Sequence, residues 1–380
     1  MPLRASHAAR LERIWLGEPA GIDHLLALGL RPAAEIFRGA AALRNLWWRW
    51  QASEPGVPVI SVGNLTVGGN AKTPFTIFVA NRLSARGLRV AIVSRGYNRD
   101  GAAASARAAM VSDGGAMLLD AAAAGDEPAM MARRFNGPIA IARRRRDAIE
   151  LLRARGPLDA VILDDGFQHI RLARAADLVL ISRERGFGNG RMLPAGPMRE
   201  PIAALRRAAA TVIVTANASQ PGALSASELA RIERGRVFHA AVRPVSLVSA
   251  AGGNWSPSPP SLTGRRVLAV SGLADPAGFH AMLRELEAEL VGVLDFPDHH
   301  AYTAADWQEI AAAGRAADII VSTEKDLVKL ERFPFARDSL YALRVEVTMA
   351  DADACALDEL LVARIGARAA AAQEVSRDAR

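Results

Sequence analysis

The chain has 380 residues, of which 51% are apolar and 23% charged, so it has material for two packed domains and is not a disordered polymer. A net charge of +7 favours anionic partners: nucleic acid, an anionic membrane face or a phosphorylated substrate. The single cysteine, Cys355, excludes an internal disulfide framework and a cysteine-rich zinc site, and fits a reducing compartment.

The first residues, "MPLRASHAARLERIW", contain no apolar core followed by a cleavage site, so no secretory signal is expected. No apolar run reaches the roughly 18–20 residues that a membrane-spanning helix needs. The segment 24–51 is the nearest, and Arg31, Glu35, Arg38 and Arg44 interrupt it. Ile36, Ala40, Leu43, Trp47 and Trp50 follow one another at steps of four and three, which lines one face of a helix. Trp47, Trp48 and Trp50 cluster among arginines, a composition suited to the headgroup layer of a bilayer. Residues 1–51 are therefore expected to form an amphipathic, membrane-contacting segment; the alternative is a helix packed on the protein's own surface.

From residue 57 short apolar runs alternate with segments of helical character: "VPVISVGN", "RVAIVSRG", "AAMVSD", "PIAIA", "LDAVILDDG", "ADLVLIS" and "ATVIVTA". Runs apolar on both faces are strands covered on both sides, so residues 52–217 read as a largely parallel sheet wrapped by helices. Residues 218–264 are rich in Pro, Ser and Gly and read as an extended connector with two strand-like stretches, "RVFHAAV" and "VSLVSA". A second alternation over 265–380 predicts a smaller α/β domain, with helices near 276–290 and 303–317 and a closing helix near 352–371.

The stretch "SVGNLTVGGNAKTPFT" (61–76) approaches the phosphate-loop pattern G-x-x-x-x-G-K-[ST]. Ala71 replaces the glycine before Lys72, and Thr66 stands where the first glycine would be. The loop follows a buried strand and leads into a helix expected to open at Pro74, so backbone N–H groups and the helix dipole point at a phosphate. Gly68, Gly69, Asn70, Ala71, Lys72, Thr73 and Pro74 are the expected nucleotide-binding residues. Lys72 would reach the terminal phosphates and the Thr73 hydroxyl would serve Mg²⁺. The alanine is tolerable if its φ is negative and harmful if it is positive. The alternative for the whole stretch is an ordinary turn.

"LDAVILDDGFQHIRL" brings Asp164 and Asp165 to the carboxyl end of a strand, the edge that holds ligands in α/β sheets. Asp164 is the Mg²⁺ candidate, with Asp165, Gln168 and His169 on the same edge; an Asx turn is the alternative. "SRGYNRD" carries Tyr97 after another strand. "AAAAGDEPAMMARRF" sets Asp126 and Glu127 ahead of Pro128 at a helix start, where carboxylates are usually caps, though a kinase needs one near the attacking hydroxyl. Arg143–Arg146 suits either a phosphate or a solvated helix start. Glu184–Pro201, dense in Gly and Pro and holding Arg191, Arg199 and Glu200, reads as a substrate loop. "DFPDHHAYT" contributes Asp298, His299 and His300, and no further ligands have zinc spacing. "VSTEKDLVKL" contributes Glu324, Lys325 and Asp326.

In their order, "VGNLTVGGNAKTP", "SRGY", "GDEP", "DDGFQH", "RGFGNGRMLPAGPMREP", "FPDHH" and "TEKD" resemble the tetraacyldisaccharide 4'-kinases, the lipid A 4'-kinases of Gram-negative bacteria. The resemblance runs from about Ser61 to Leu330, and the N-terminal segment is similar to the family's membrane-contacting helix. It implies a P-loop NTPase-like α/β domain and a second, smaller α/β domain joined by a short β linker, with the site between them. It implies transfer of phosphate from ATP, with Mg²⁺, to the sugar 4'-hydroxyl of an acylated glucosamine disaccharide 1-phosphate at the cytoplasmic face of the bacterial inner membrane. Lys72 and Thr73 would serve the nucleotide, and Asp164 the metal with Thr73 and Glu200. Asp126 and His299 would be the acid–base pair, the choice of His299 over His300 resting on motif alignment. Tyr97, Glu127, Arg146, Asp165, Gln168, His169 and Arg199 would line the substrate site. The family usually has glycine where Ala71 stands. A membrane-associated switch ATPase would share the loop, the aspartate and the amphipathic helix but needs no acid–base pair. Nucleic-acid binding is disfavoured, because no known module is present and aromatic residues make up only 5%.

Overall fold

The computed structural model describes residues 10–21, 23–68, 71–96, 106–218, 220–249, 256–258, 261–333 and 340–378. In chain order the elements are α1 (10–16), α2 (Asp23–Gly29), α3 (Arg31–Trp50), β1 (Val59–Asn64), α4 (Lys72–Ala85), β2 (Val90–Ser94), β3 (Ala109–Asp113), α5 (Ala121–Ala124), α6 (Asp126–Ala132), β4 (Pro138–Ile141), α7 (Arg145–Arg155), β5 (Ala160–Asp164), β6 (Ala176–Ser182), a 3₁₀ turn (Ile202–Arg207), β7 (Ala210–Thr215) and α8 (Ala226–Ile232). Then follow β8 (Val237–Ser249), β9 (Ser256–Ser258), β10 (Arg266–Ser271), α9 (Ala277–Glu285), β11 (Glu289–Asp295), α10 (Ala304–Gly314), β12 (Ile319–Thr323), α11 (Glu324–Leu330), β13 (Leu340–Met349) and α12 (Asp351–Asp378). The fold is α/β, with the apolar runs read from the sequence forming its strands.

Residues divide into two compact units, the first made of 1–72, 165–240 and 349–380 and the second of 73–164 and 241–348. The chain passes from one to the other at Lys72–Thr73 and again at Asp164–Asp165.

In the first unit β1, β6 and β7 pair in parallel. β1 is buried at all six positions, as a central strand covered on both faces must be. Leu65, Phe167, Phe187, Met192, Met198 and Ile213 pack into one core against Ala34 of α3. The N-terminal helices are part of this unit rather than an appended tail. Ile14 is buried, Trp15 Nε1 donates to Pro194 O at 2.9 Å, and Arg10 and Arg13 clasp the buried Asp23 at 2.8 and 2.9 Å. α3 buries Ala34 and Ala41 on one side. Its other side keeps the apolar stripe in solvent, with Ile36 73%, Leu43 71% and Trp50 82% exposed.

In the second unit β5, β2 and β4 are parallel and β3 runs antiparallel to β4, so the sheet is mixed at this edge. β11, β10, β12 and β13 form a parallel set. They enclose Leu268, Val270, Tyr302, Trp307, Ile320 and Leu327. The helix read over 276–290 ends at Glu285, and Glu287 (φ +60°) reverses the chain into β11. α10 starts where its cap dictates, the Thr303 hydroxyl accepting from the N–H of Asp306 at 3.2 Å. The two strand-like stretches of the connector are a single strand, β8. α11 packs on α6 within this unit, tied by Arg133–Glu331 at 2.7 Å and Arg134–Glu324 at 3.1 Å.

Candidate active site

Two groups of side chains form, one within each unit. The first surrounds the phosphate-type loop. β1 ends at Asn64, whose amide nitrogen and oxygen are buried without a hydrogen-bond partner among the described residues. Gly68 has φ +102°, a conformation that only glycine adopts cheaply. Gly69 and Asn70 lie outside the described residues. Ala71 has φ +53°, so the methyl sits on a left-handed backbone, the harmful case foreseen for it.

α4 opens at Lys72, two residues before the expected Pro74. The proline still falls in the first turn, where no intrahelical N–H bond is lost. Lys72 Nζ donates to Gly68 O at 3.1 Å and stands 3.9 Å from Asp165.

Asp165 is itself at φ +47°. Its carboxylate accepts from Arg199 Nη1 at 3.0 and 3.2 Å, and Gln168 Oε1 is 3.5 Å from the same nitrogen. Gln168 Nε2 donates to Asn64 O at 2.8 Å. The structure thus gathers Lys72, Asp165, Gln168 and Arg199. His169 follows on the same turn, its N–H donating to Gly166 O at 2.9 Å.

Glu200 requires a correction. It is 1% exposed, both its oxygens accept from Arg207 at 2.8 and 3.1 Å, and Asn45 Nδ2 donates to it at 2.9 Å. A carboxylate held by a bidentate guanidinium has no oxygen open to a metal. It anchors the loop that carries Arg199.

In the second unit Thr73 and Asp164 are both buried, on α4 and at the end of β5. Thr76 Oγ1 donates to Asp164 Oδ1 at 3.2 Å and Ser94 Oγ to Oδ2 at 3.4 Å. Sequence reasoning missed Thr76 and gave Ser94, at the head of "SRGYNRD", no role of its own. The signal for Thr76 was its place one turn after Thr73 on an otherwise apolar helix face.

Asp126 is 7% exposed and begins α6 directly after Gly125, whose φ of +90° turns the chain into the helix. His299 Nδ1 lies 3.2 and 3.0 Å from its two oxygens. Lys329 Nζ is 3.5 Å from Asp126 Oδ2 and 3.2 Å from the buried Asp326. Lys325 Nζ is 2.8 Å from Asp298 Oδ1, 3.4 Å from His299 Nε2 and 3.9 Å from Glu127 Oε1. An ammonium only donates, so neutral His299 must accept at Nε2 and keep its proton on Nδ1, from which it donates to Asp126. Burial raises the pKa of Asp126, but the His299 hydrogen bond and the charges of Lys325, His299 and Lys329 outweigh it and hold the group at about 2. The Asp126 hydrogen bond raises the pKa of His299 against its burial. Burial lowers the Lys325 pKa, but the carboxylates of Asp126, Glu127 and Asp298 raise it further.

His300 is turned elsewhere. Its Nε2 lies 3.1 Å from Asp306, and its ring stacks on Phe296 at 4.9 Å. Arg146 is on the exposed side of α7, 2.9 Å from Glu150, and the structure brings it to none of these groups. Tyr97 lies outside the described residues. Lys325 and Lys329 were legible only as part of "TEKDLVKL"; their spacing of four on a helix puts both ammoniums on one face.

Ala71, Asp165 and His299 are three of the four non-glycine residues at positive φ among those described. Such backbone strain clusters where side chains must be aimed. The residues also fit an ATP–Mg²⁺ ligand. Hard oxygen donors, the Thr73 hydroxyl and the Asp164 carboxylate, suit Mg²⁺. The orphaned Asn64 amide at the base of a lysine-bearing loop suits a polar ligand.

The family model for tetraacyldisaccharide-1-P 4'-kinase (LpxK) matches residues 26–365. The chain belongs to this family. A tetraacyldisaccharide 4'-kinase of Anaeromyxobacter sp. (strain K) is 43% identical over 371 residues, covering 93% of this chain and 96% of that one. That of Geobacter sulfurreducens is 37% identical over 345 residues, covering 90% and 92%. The crystal structure of LpxK from Aquifex aeolicus in complex with ATP has a TM-score of 0.71 to this chain at 28% identity, covering 90% of this chain and 99% of that one. LpxK membership accounts for the P-loop kinase character of the fold.

Proposed function

We propose that this LpxK-family chain transfers the γ-phosphoryl group of ATP to the 4'-hydroxyl of a tetraacyl glucosamine disaccharide 1-phosphate, with Asp126 receiving the hydroxyl's proton. The observation that carries the reading is the Asp126–His299 pair, a buried carboxylate held anionic by a histidine and two lysines. A switch ATPase has no use for such a pair.

Phosphoryl transfer is mostly positioning and charge neutralisation. Lys72 neutralises the terminal phosphates, releasing Gly68 O to do so. Arg199 is held in place by Asp165, and Glu200 fixes its loop through Arg207. Thr73 and Asp164 hold Mg²⁺, with Thr76 and Ser94 fixing the carboxylate's orientation. Bound there, Mg²⁺ would supply charge neutralisation to the phosphates. His299 donates Nδ1–H to Asp126 in either protonation state and so fixes the orientation of the carboxylate toward the acceptor hydroxyl. A carboxylate with pKa near 2 is a weak base, which suits a loose transition state in which the proton leaves late. Tyr97, Glu127, Gln168 and His169 are assigned to the substrate side.

The substrate is an anionic lipid, and the exposed stripe of α3 supports contact with the membrane surface that holds it, at the cytoplasmic face of the inner membrane. Among the described residues no helix is long and apolar enough to cross a membrane, so the contact is interfacial. The test is incubation with labelled ATP and the lipid disaccharide. Label is expected in the lipid for the native chain and not for Lys72→Ala. Label appearing only as free phosphate would defeat the kinase reading.

A further inference from the structure

Within the first unit a cavity of about 330 Å³ opens beside α3. Its floor is apolar, with Ala34, Met192 and Met198 buried. Its rim is cationic: Arg31 and Arg38 of α3, Arg191 of the loop after β6 and Arg231 of α8. Glu35 is the one acid of the lining, and its ion pair with Arg38 leaves three guanidiniums, which make no side-chain hydrogen bond or ion pair among the described residues. None of these side chains has a part in the phosphoryl transfer above.

At about 100° per residue, positions 31, 34, 35 and 38 of α3 share one direction, and positions 36, 43, 47 and 50 share another roughly 140° around the helix. The second set is the solvent-exposed stripe of Ile36, Leu43, Trp47 and Trp50. With that stripe pressed into the acyl layer, the arginine rim lies across the helix from it, about one helix diameter of roughly 10 Å further out, toward the headgroups.

We propose that this cavity seats the phosphate headgroup of an anionic glycerophospholipid of the bilayer. The inference rests on the membrane-contact reading of α3. Three uncommitted guanidiniums complement a phosphodiester, and the apolar floor accepts the glycerol and first methylenes beneath it. The bilayer source, rather than a free phosphate, follows from the stripe on the same helix.

The test is sedimentation of the full-length protein with vesicles of phosphatidylcholine alone or mixed with phosphatidylglycerol. Arg31→Gln/Arg231→Gln is expected to lose the gain in binding from phosphatidylglycerol, about fivefold per arginine, while keeping binding to phosphatidylcholine. Arg234→Gln/Arg364→Gln, which removes the same charge from exposed positions outside the cavity, is expected to change binding by no more than about twofold. Equal losses in the two double variants, or native binding by the first, would overturn the headgroup site. Trp47→Ser/Trp50→Ser separately tests the membrane reading: it is expected to lose binding to both vesicle types, and native binding by this variant would overturn contact through the stripe. Unchanged thermal midpoints establish that each variant is folded.

Discussion

Asp126 Oδ2 lies 3.0 Å from His299 Nδ1 although 173 residues separate the two in the chain. The contact is made within one unit, by the first residue of α6 and the turn after β11. It needs a left-handed backbone at His299 to aim the ring.

Removing the proton acceptor should strike turnover and spare the nucleotide. Asp126→Asn is expected to lower kcat by about 10²–10⁴-fold while leaving ATP affinity, read by calorimetry, within about twofold. Equal losses in both would reassign Asp126 to a structural role.

The same pair sets a pH dependence of stability. The folded pKa of His299 is raised above its unfolded value near 6.5, so its contribution is complete below that value and fades as pH rises through the folded pKa. The folded pKa of Asp126 is lowered to about 2, so its contribution holds above the ordinary value near 3.8 and is lost on acidification toward 2. The stability difference between the native chain and His299→Gln should therefore be largest between about pH 4 and 6.5 and shrink above that window. Urea midpoints measured across pH read it directly; a difference that grows with alkalinity would contradict the ion pair.

Lys329 stands 3.5 Å from Asp126 Oδ2 and is expected to act through it, as a positioning residue. Lys329→Met removes one of the charges that hold the carboxylate anionic, so the acid limb of the kcat profile should move to higher pH. At neutral pH Asp126 stays ionised without Lys329, so kcat there should change by no more than about twofold. Lys329→Arg should restore most of the native profile. A uniform loss at all pH values would instead mark a packing role.

Ala71 carries strain that a glycine would relieve. A left-handed alanine costs about 1–2 kcal/mol, and glycine returns part of this through unfolded-chain entropy. Ala71→Gly should raise stability by about 0.5 kcal/mol with ATP affinity equal or tighter, and Ala71→Val should lower both. Thermal midpoints and calorimetry decide it; a destabilised glycine variant would mean that the alanine is not strained.

Thr76 donates to Asp164, the carboxylate proposed to hold Mg²⁺. Thr76→Val keeps the shape but removes a buried hydrogen bond worth about 1 kcal/mol. The Mg²⁺ concentration for half-maximal rate should rise roughly fivefold, with the ATP affinity little changed. An unaltered Mg²⁺ titration would detach Asp164 from the metal.

The strands were legible because burial on both faces writes itself as unbroken apolar runs, as in "AVILD" of β5 and "VISVGN" of β1. Orientation was not: β3 runs antiparallel, and nothing in "AMVSD" distinguishes that from a parallel edge. The loop lysine and the paired aspartates were legible as motifs, since each chemistry restricts residue type and spacing. The sign of φ at Ala71 was not, because it depends on how the loop closes over Lys72. Glu200 looked like a ligand because a motif shows a carboxylate but not the arginine seven residues later that occupies it. Lys325 and Lys329 belong to the site through the packing of α11 on α6, a long-range contact that no local pattern announces.

One chain of contacts leads from α3 inward. Asn45 on that helix holds Glu200, the next residue, Arg199, clasps Asp165, and Asp165 stands beside Lys72. The helix with the bare tryptophans and the lysine that reads phosphate are thus linked by a handful of side chains. A tilt of α3 would therefore have a short mechanical route to Lys72, so that if α3 rests on a membrane, that surface would also be a lever on nucleotide binding.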